Sequence, residues 1–149
     1  MDFGLSNEQE MIIDSVKNFV EQELYPHEDE VEKSNHIDES LAESIKKKAI
    51  QLGLYATNMP EEYGGGGLDT LTLCLLEKEL GKANFGLQYI VARPSNILMA
   101  CKGDQIDKYL IPTIRGEKVD CLAMTEPNAG SDVRSMQCRA EKDGEFFVI

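Results

Sequence analysis

Cys121-Leu122-Ala123-Met124-Thr125-Glu126-Pro127-Asn128-Ala129-Gly130-Ser131-Asp132 is the stretch on which the reading of this chain turns. The apolar run Leu122 to Met124 predicts a buried strand that stops abruptly. Thr125 offers a hydroxyl, Pro127 lacks an N–H and fixes the chain direction, and Asn128 to Asp132 are small or turn-forming. Gly130 has no Cβ to hold a ligand away from the backbone, and Ser131 adds a second hydroxyl. Successive N–H groups in such a loop form an anion-accepting concavity, which suits a phosphate or the polar edge of a ring. On residue types alone, an ordinary strand end with a polar loop is the simpler reading.

The rest of the composition narrows the class. The chain has 149 residues, of which 42% are hydrophobic, enough for a globular unit with a real core. Twenty-seven acidic residues against 15 basic ones give a net charge of −12. That charge disfavours nucleic acid and anionic membranes as partners. Cys74, Cys101, Cys121 and Cys138 are widely spaced, each in an apolar run, and read as buried free thiols of a reducing compartment. His27 and His36 lack the spacing of a metal site, so no metal is expected. No apolar run reaches the roughly 20 residues of a membrane span, and the opening residues do not read as a secretion signal.

Upstream of the decisive stretch the periodicity is helical. Ser6 and Gln9 have capping-box spacing, and Ile12, Ile13, Val16, Phe19, Val20 and Leu24 form one apolar stripe that Pro26 is expected to end. A second amphipathic helix runs from about Ile37 to Gly53; Lys46 to Lys48 fall in its last turns, where the helix dipole favours cations. Pro60 to Gly67 carries four consecutive glycines. It is neither G-x-G-x-x-G nor a phosphate loop with Lys-Ser/Thr, and reads as a mobile turn. Asp69 caps a third helix, which ends at Gly81. Phe85 to Cys101 reads as helical in two parts around Pro94. Arg93 is the one charge there, and a ligand contact competes with a solvated or paired side chain. Asp104 caps a short helix to Ile114, closed by Gly116.

After Gly116 the pattern changes to strands. Met136 to Glu141 alternates, Asp143-Gly144 is expected to form a tight turn, and Glu145 to Ile149 begins a second arm. Phe146-Phe147-Val148-Ile149 is an apolar end that an independent domain would have to cover, which suggests an N-terminal fragment.

The wording of several runs adds a resemblance. Thr125-Glu126-Pro127-Asn128-Ala129-Gly130-Ser131-Asp132 is similar to the T-E-P-x-A-G-S-D signature of the acyl-CoA dehydrogenase family. MDFGLSNEQEMI at the start, Pro60-Glu61-Glu62-Tyr63-Gly64-Gly65, Leu76-Glu77-Lys78-Glu79-Leu80-Gly81 and Tyr109-Leu110-Ile111-Pro112 resemble the same family in the same order. The resemblance implies a mainly α fold: a helical N-terminal domain over residues 1–116, then the first strands of a β-barrel-like middle domain over 117–149.

It also implies a chemistry. The family oxidises an acyl-CoA thioester to its trans-2-enoyl form; a carboxylate removes the α-proton while the β-hydride moves to flavin N5. Carried over by position, Leu122, Met124 and Thr125 would line the ring of FAD. Gly130 and Ser131 would meet its phosphate side, and Ser131 would also reach the CoA substrate. Several family members have an aromatic residue where this chain has Leu122, so ring stacking there does not carry over. Glu126 is expected to be structural. The catalytic Glu and the second flavin-contacting strand lie further on in the family, so no catalytic residue is expected in this chain. Electron-transfer flavoprotein as electron acceptor, a homodimer or homotetramer, and a cytoplasmic location (mitochondrial matrix in a eukaryote) follow from the same resemblance. An oxidase, an enoyl-CoA reductase or a non-catalytic helical assembly module are the competing readings.

Overall fold

A computed structural model describes residues 4–91 and 94–149. The first three residues of the opening motif and Arg93 lie outside the described residues. Helix α1 (Asn7–Phe19) starts on a capping box. Ser6 Oγ accepts from Gln9 N at 3.2 Å and Gln9 Oε1 accepts from Ser6 N at 3.1 Å, so two otherwise orphaned donors are satisfied reciprocally. Pro26 does not end the helical run. The ladder widens into a π turn at Val20–Leu24, tightens to a 3-10 turn at Tyr25–His27, and resumes as α2 (Glu28–Ser34). Proline at the start of a helical turn loses no hydrogen bond it needed, so it redirects the ladder instead of stopping it.

Helix α3 (Glu39–Gln51) follows, and Gly53 turns the chain at φ 69°. Helix α4 (Thr70–Leu80) is capped as expected: Asp69 Oδ1 accepts from Leu71 N at 2.8 Å and Thr72 N at 3.2 Å. The Thr72 hydroxyl and these N–H groups hold the Asp69 carboxyl below the usual carboxylate range. Helix α5 (Phe85–Val91) precedes Pro94, and a 3-10 turn at Asn96–Ala100 is capped by Ser95, as the two-part reading requires. A π turn at Ile106–Leu110 leads into α6 (Ile111–Ile114).

The core is shared by the first five helices. Val16, Phe19, Leu24, Ile45, Ala49, Leu76, Leu80, Leu87 and Val91 pack into one buried cluster. A smaller cluster of Ala56, Met59, Leu110 and Ile114 ties α6 to the connector after α3. Buried Glu79 is neutralised by Lys82, whose hydrogen bond pulls its carboxyl pKa down.

The glycine run is not a mobile turn. Gly65 N donates to Pro60 O at 3.0 Å, Gly66 N to Ala56 O at 3.1 Å, Gly67 N to Met59 O at 2.8 Å and Leu68 N to Thr57 O at 2.9 Å. A Cβ on Gly65 would lie 2.2 Å from Met59 O, and one on Gly66 would lie 2.9 Å from Thr57 Cα. The glycines are there because two backbone segments touch.

Beyond Gly116 the chain is largely extended and exposed. Strands β1 (Glu141–Asp143) and β2 (Phe146–Val148) pair antiparallel through a two-residue loop, with Asp143 opposite Phe146. Gly144 takes φ 60° at the first loop position, so the turn falls one residue later than expected. Leu122 to Met124 is neither a strand nor buried: Leu122 is 68% and Met124 42% exposed. A strand needs a neighbour to pair with, and among the described residues none lies alongside it. The thiols also correct the expectation. Cys74, Cys121 and Cys138 are exposed and Cys101 is half-buried, all of them free. A helical N-terminal part followed by the beginning of a β domain is the architecture the sequence predicted.

Candidate functional site

The loop after Met124 is built by its own acids. Glu126 N donates to Ala129 O at 2.8 Å and Ala129 N to Glu126 O at 3.2 Å, closing a four-residue turn over Pro127 and Asn128. The Glu126 carboxylate accepts from Gln137 N and Cys138 N, each at 2.8 Å. Those two N–H groups, Gln137 first, hold its carboxyl below the usual range against a smaller desolvation effect. Glu126 thus fastens the outgoing segment to the turn, the structural role expected of it. Asp132 does the same locally: it accepts from Arg134 N at 3.2 Å and from Ser135 Oγ at 2.5 Å, and caps a 3-10 turn at Val133–Ser135.

The remaining positions of the loop are left open. Thr125, Gly130 and Ser131 are exposed, while Ala129 is buried at 3%. A Cβ on Gly130 would meet nothing within 4 Å, and its backbone is not left-handed. Nothing within the described chain therefore demands glycine at 130, unlike Gly65. Among the described residues, the main chain of 121–125 makes no hydrogen bond. Five residues of unpaired donors and acceptors, two hydroxyls and an unobstructed glycine fit the polar edge and phosphate of a bound ring cofactor.

A cavity of about 660 Å³ lies between α3, α5 and the segment 119–122. Lys46, Tyr55, Tyr89, Ile90, Asp120 and Leu122 are among its walls. Asp120 Oδ2 accepts from Ser95 N at 3.1 Å and so ties this segment to the turn after α5. Burial pushes the Tyr55 phenol up, and the nearby Asp120 carboxylate adds to it, so the phenol stays neutral. The Lys46 ammonium stands 5.5 Å from the Tyr55 ring centroid.

Of the five sequence-predicted site residues, Leu122 lines this cavity; Met124, Thr125, Gly130 and Ser131 are not among its walls. The cavity itself was missed. Tyr55 and Tyr89 are 34 positions apart in the sequence and carry no shared motif. Among the described residues no group of His, Cys, Asp and Glu could hold a metal, and no helix is long and apolar enough to cross a membrane.

The family model for the acyl-CoA dehydrogenase N-terminal domain matches residues 6–117. The 3-(aryl)acrylate reductase of Clostridium sporogenes is 32% identical over 97% of this chain and 38% of its own length. The probable acyl-CoA dehydrogenase YngJ of Bacillus subtilis is 36% identical over 100% of this chain and 40% of its own. Among solved structures, one described as an electron transferring flavoprotein of Acidaminococcus fermentans superposes with TM-score 0.79 at 31% identity, over 99% of this chain and 39% of that one. An acyl-CoA dehydrogenase complexed with FAD from Bacillus anthracis superposes at TM-score 0.72 and 28% identity, over 91% of this chain and 24% of that one. The chain spans about 40% of the length of the curated relatives it matches.

Proposed function

We propose that this chain, which belongs to the acyl-CoA dehydrogenase family, is the N-terminal part of a flavoprotein that oxidises an acyl-CoA thioester to the trans-2-enoyl-CoA. The observation that carries the reading is the open side of the signature loop. Glu126 and Asp132 are consumed in building it, and Thr125, Gly130, Ser131 and the main chain of 121–125 are left without partners in the described chain.

In this reading Leu122, Met124 and Thr125 hold the ring of FAD, Gly130 and Ser131 hold its phosphate side, and Ser131 also contacts the CoA substrate. Bound FAD would supply the hydride acceptor. The chain's own part is to offer the unpaired main-chain donors of 121–125 and the Thr125 and Ser131 hydroxyls, which would stabilise negative charge on the ring once the cofactor covers them. The cavity bounded by Leu122 would receive the acyl tail. The α-proton goes to a carboxylate further along the parent protein, so this chain alone should neither retain flavin nor turn over. Electrons would leave to electron-transfer flavoprotein, from a homo-oligomeric parent in the cytoplasm or, in a eukaryote, the mitochondrial matrix.

The reductase direction is the second reading, because a relative 32% identical to this chain is a 3-(aryl)acrylate reductase. The visible spectrum of the purified full-length parent, before and after anaerobic addition of saturated acyl-CoAs, tests both. A flavin spectrum that bleaches is the expected result. Flavin that is not bleached by saturated acyl-CoAs, but whose dithionite-reduced form is reoxidised by an enoyl-CoA, supports the reductase. A well-folded parent without flavin overturns the site.

A further inference from the structure

We infer that the acyl group this site accepts is an uncharged aromatic one, with Tyr89 as the ring that recognises it; this rests on the preceding reading of the parent as an acyl-CoA oxidoreductase. The reacting carbons must lie against the flavin, and Leu122 is the flavin-side residue that bounds a cavity. The tail beyond those carbons therefore enters the space between Leu122 and α5.

Two of the walls there are aromatic, Tyr55 and Tyr89. On α5, Leu87 and Val91 are turned into the core, at 0% and 1% exposure. Phe85 and Tyr89, one turn apart, are turned out, at 75% and 58%. Their rings lie 6.1 Å apart with planes tilted by 37°, and Tyr89 lines the cavity. Tyr55 supplies a second ring, neutral and half-buried. Among the described lining residues, three carboxylates, Glu39, Glu43 and Asp120, outnumber the one ammonium, Lys46. That balance opposes a free carboxylate on the tail and leaves a neutral ring unopposed.

With 3-phenylpropionyl-CoA the step is a dehydrogenation. The α-proton passes to the parent's carboxylate base and the β-hydride to the flavin, giving cinnamoyl-CoA and two-electron-reduced flavin.

The test uses the full-length parent under anaerobic conditions. Rates of flavin bleaching are compared for 3-phenylpropionyl-, butyryl- and glutaryl-CoA, and dithionite-reduced enzyme is offered cinnamoyl- and crotonyl-CoA for the reverse direction. The aryl ester is expected to be preferred by about tenfold or more over either competitor. Tyr89→Leu should lower that preference by about 3- to 10-fold, the range of an aromatic pair, and Tyr89→Phe should keep it. Preference for butyryl- or glutaryl-CoA in the wild type overturns the inference without any variant, as does a Tyr89→Leu enzyme of normal flavin content with an unchanged preference. Reaction with aliphatic esters alone sinks the aromatic assignment and leaves the oxidoreductase reading standing. Reaction with none of the five esters sinks both.

Discussion

Gly65 and Gly130 are both glycines in a loop beside a functional-looking motif, and they serve opposite ends. Around Gly65 the chain closes on itself: the Met59 carbonyl fills the space a side chain would need. Around Gly130 the corresponding space is open. The contrast extends to the regions they sit in. From Ser6 to Ile114 the helices enclose a core marked by fully buried Leu24, Ile45, Met59 and Leu87, while Met11, Leu52, Leu71, Phe85 and Ile97 stay on the surface. From Val119 to Ile149, Ala129 is the one residue of the described chain that is buried. Leu122, Val133, Phe146, Phe147 and Ile149 are each at least half exposed. The helical part closes a core of its own, whereas the arm has none and presents apolar and hydrogen-bonding surface that its own residues do not fill.

The largest expected effect separates the two glycines. Gly65→Ala forces a Cβ against a backbone carbonyl, which no rotamer change relieves. It should cost about 4 kcal/mol or more, the range reserved for core overpacking and strain. Gly130→Ala meets nothing and should shift the denaturation midpoint by less than about 0.5 kcal/mol equivalent. In the full-length parent, however, it should lower flavin retention on gel filtration. Equal midpoints for the two variants would erase the distinction between the regions.

A leucine pair sharpens the same contrast. Leu87→Ala empties a site at 0% exposure and should lose about 2–5 kcal/mol in urea denaturation. Leu122→Ala, at 68% exposure, should be near neutral in this chain and matter only where flavin and substrate are bound. A destabilisation of Leu122→Ala comparable to Leu87→Ala would mean that residues 119–122 belong to the core.

What was legible in the sequence divides along the same line. Helix starts at Ser6 and Asp69 were readable because a cap and its target are two or three residues apart. The hairpin near Gly144 was readable because a two-residue loop needs a left-handed residue, although the choice between Asp143-Gly144 and Gly144-Glu145 depends on strand register. The failures involve partners that composition does not show. Gly64 to Gly67 looked mobile because the segment zipped to it, residues 56–59, has no pattern that announces the contact. Leu122 to Met124 looked buried because apolar residues imply a cover, and among the described residues no cover is present. The signature loop was visible as wording. Its internal logic, with Glu126 and Asp132 as builders and Gly130 left open, required the geometry.

The smallest effect should be local to that loop. The Glu126 carboxylate is held by the Gln137 and Cys138 N–H groups, which lower its pKa from the ordinary value of 4.5. A depressed folded-state pKa means that the ordering it provides is fully present above the unfolded value and is lost as pH falls through the lower, folded one. The clamp should therefore be intact at neutral pH and down to about pH 5, and should open only as the solution is taken below 4.5. Both partners of the Glu126 carboxylate lie within the arm, and the turn it anchors contributes to neither buried core, so global stability should barely respond. Amide exchange reads the difference directly: protection at Gln137 and Cys138 should fall in step with protonation of one carboxyl, while amides of α1 and α4 stay protected. Glu126→Gln keeps the shape but loses the charge that strengthens both bonds. It should speed exchange at those two amides at neutral pH, where the wild-type carboxylate is charged, and flatten the pH dependence as the two converge in acid. If Glu126→Gln instead loosened α4 as well, the arm and the helical body would form one cooperative unit, and the division drawn between Gly65 and Gly130 would fail.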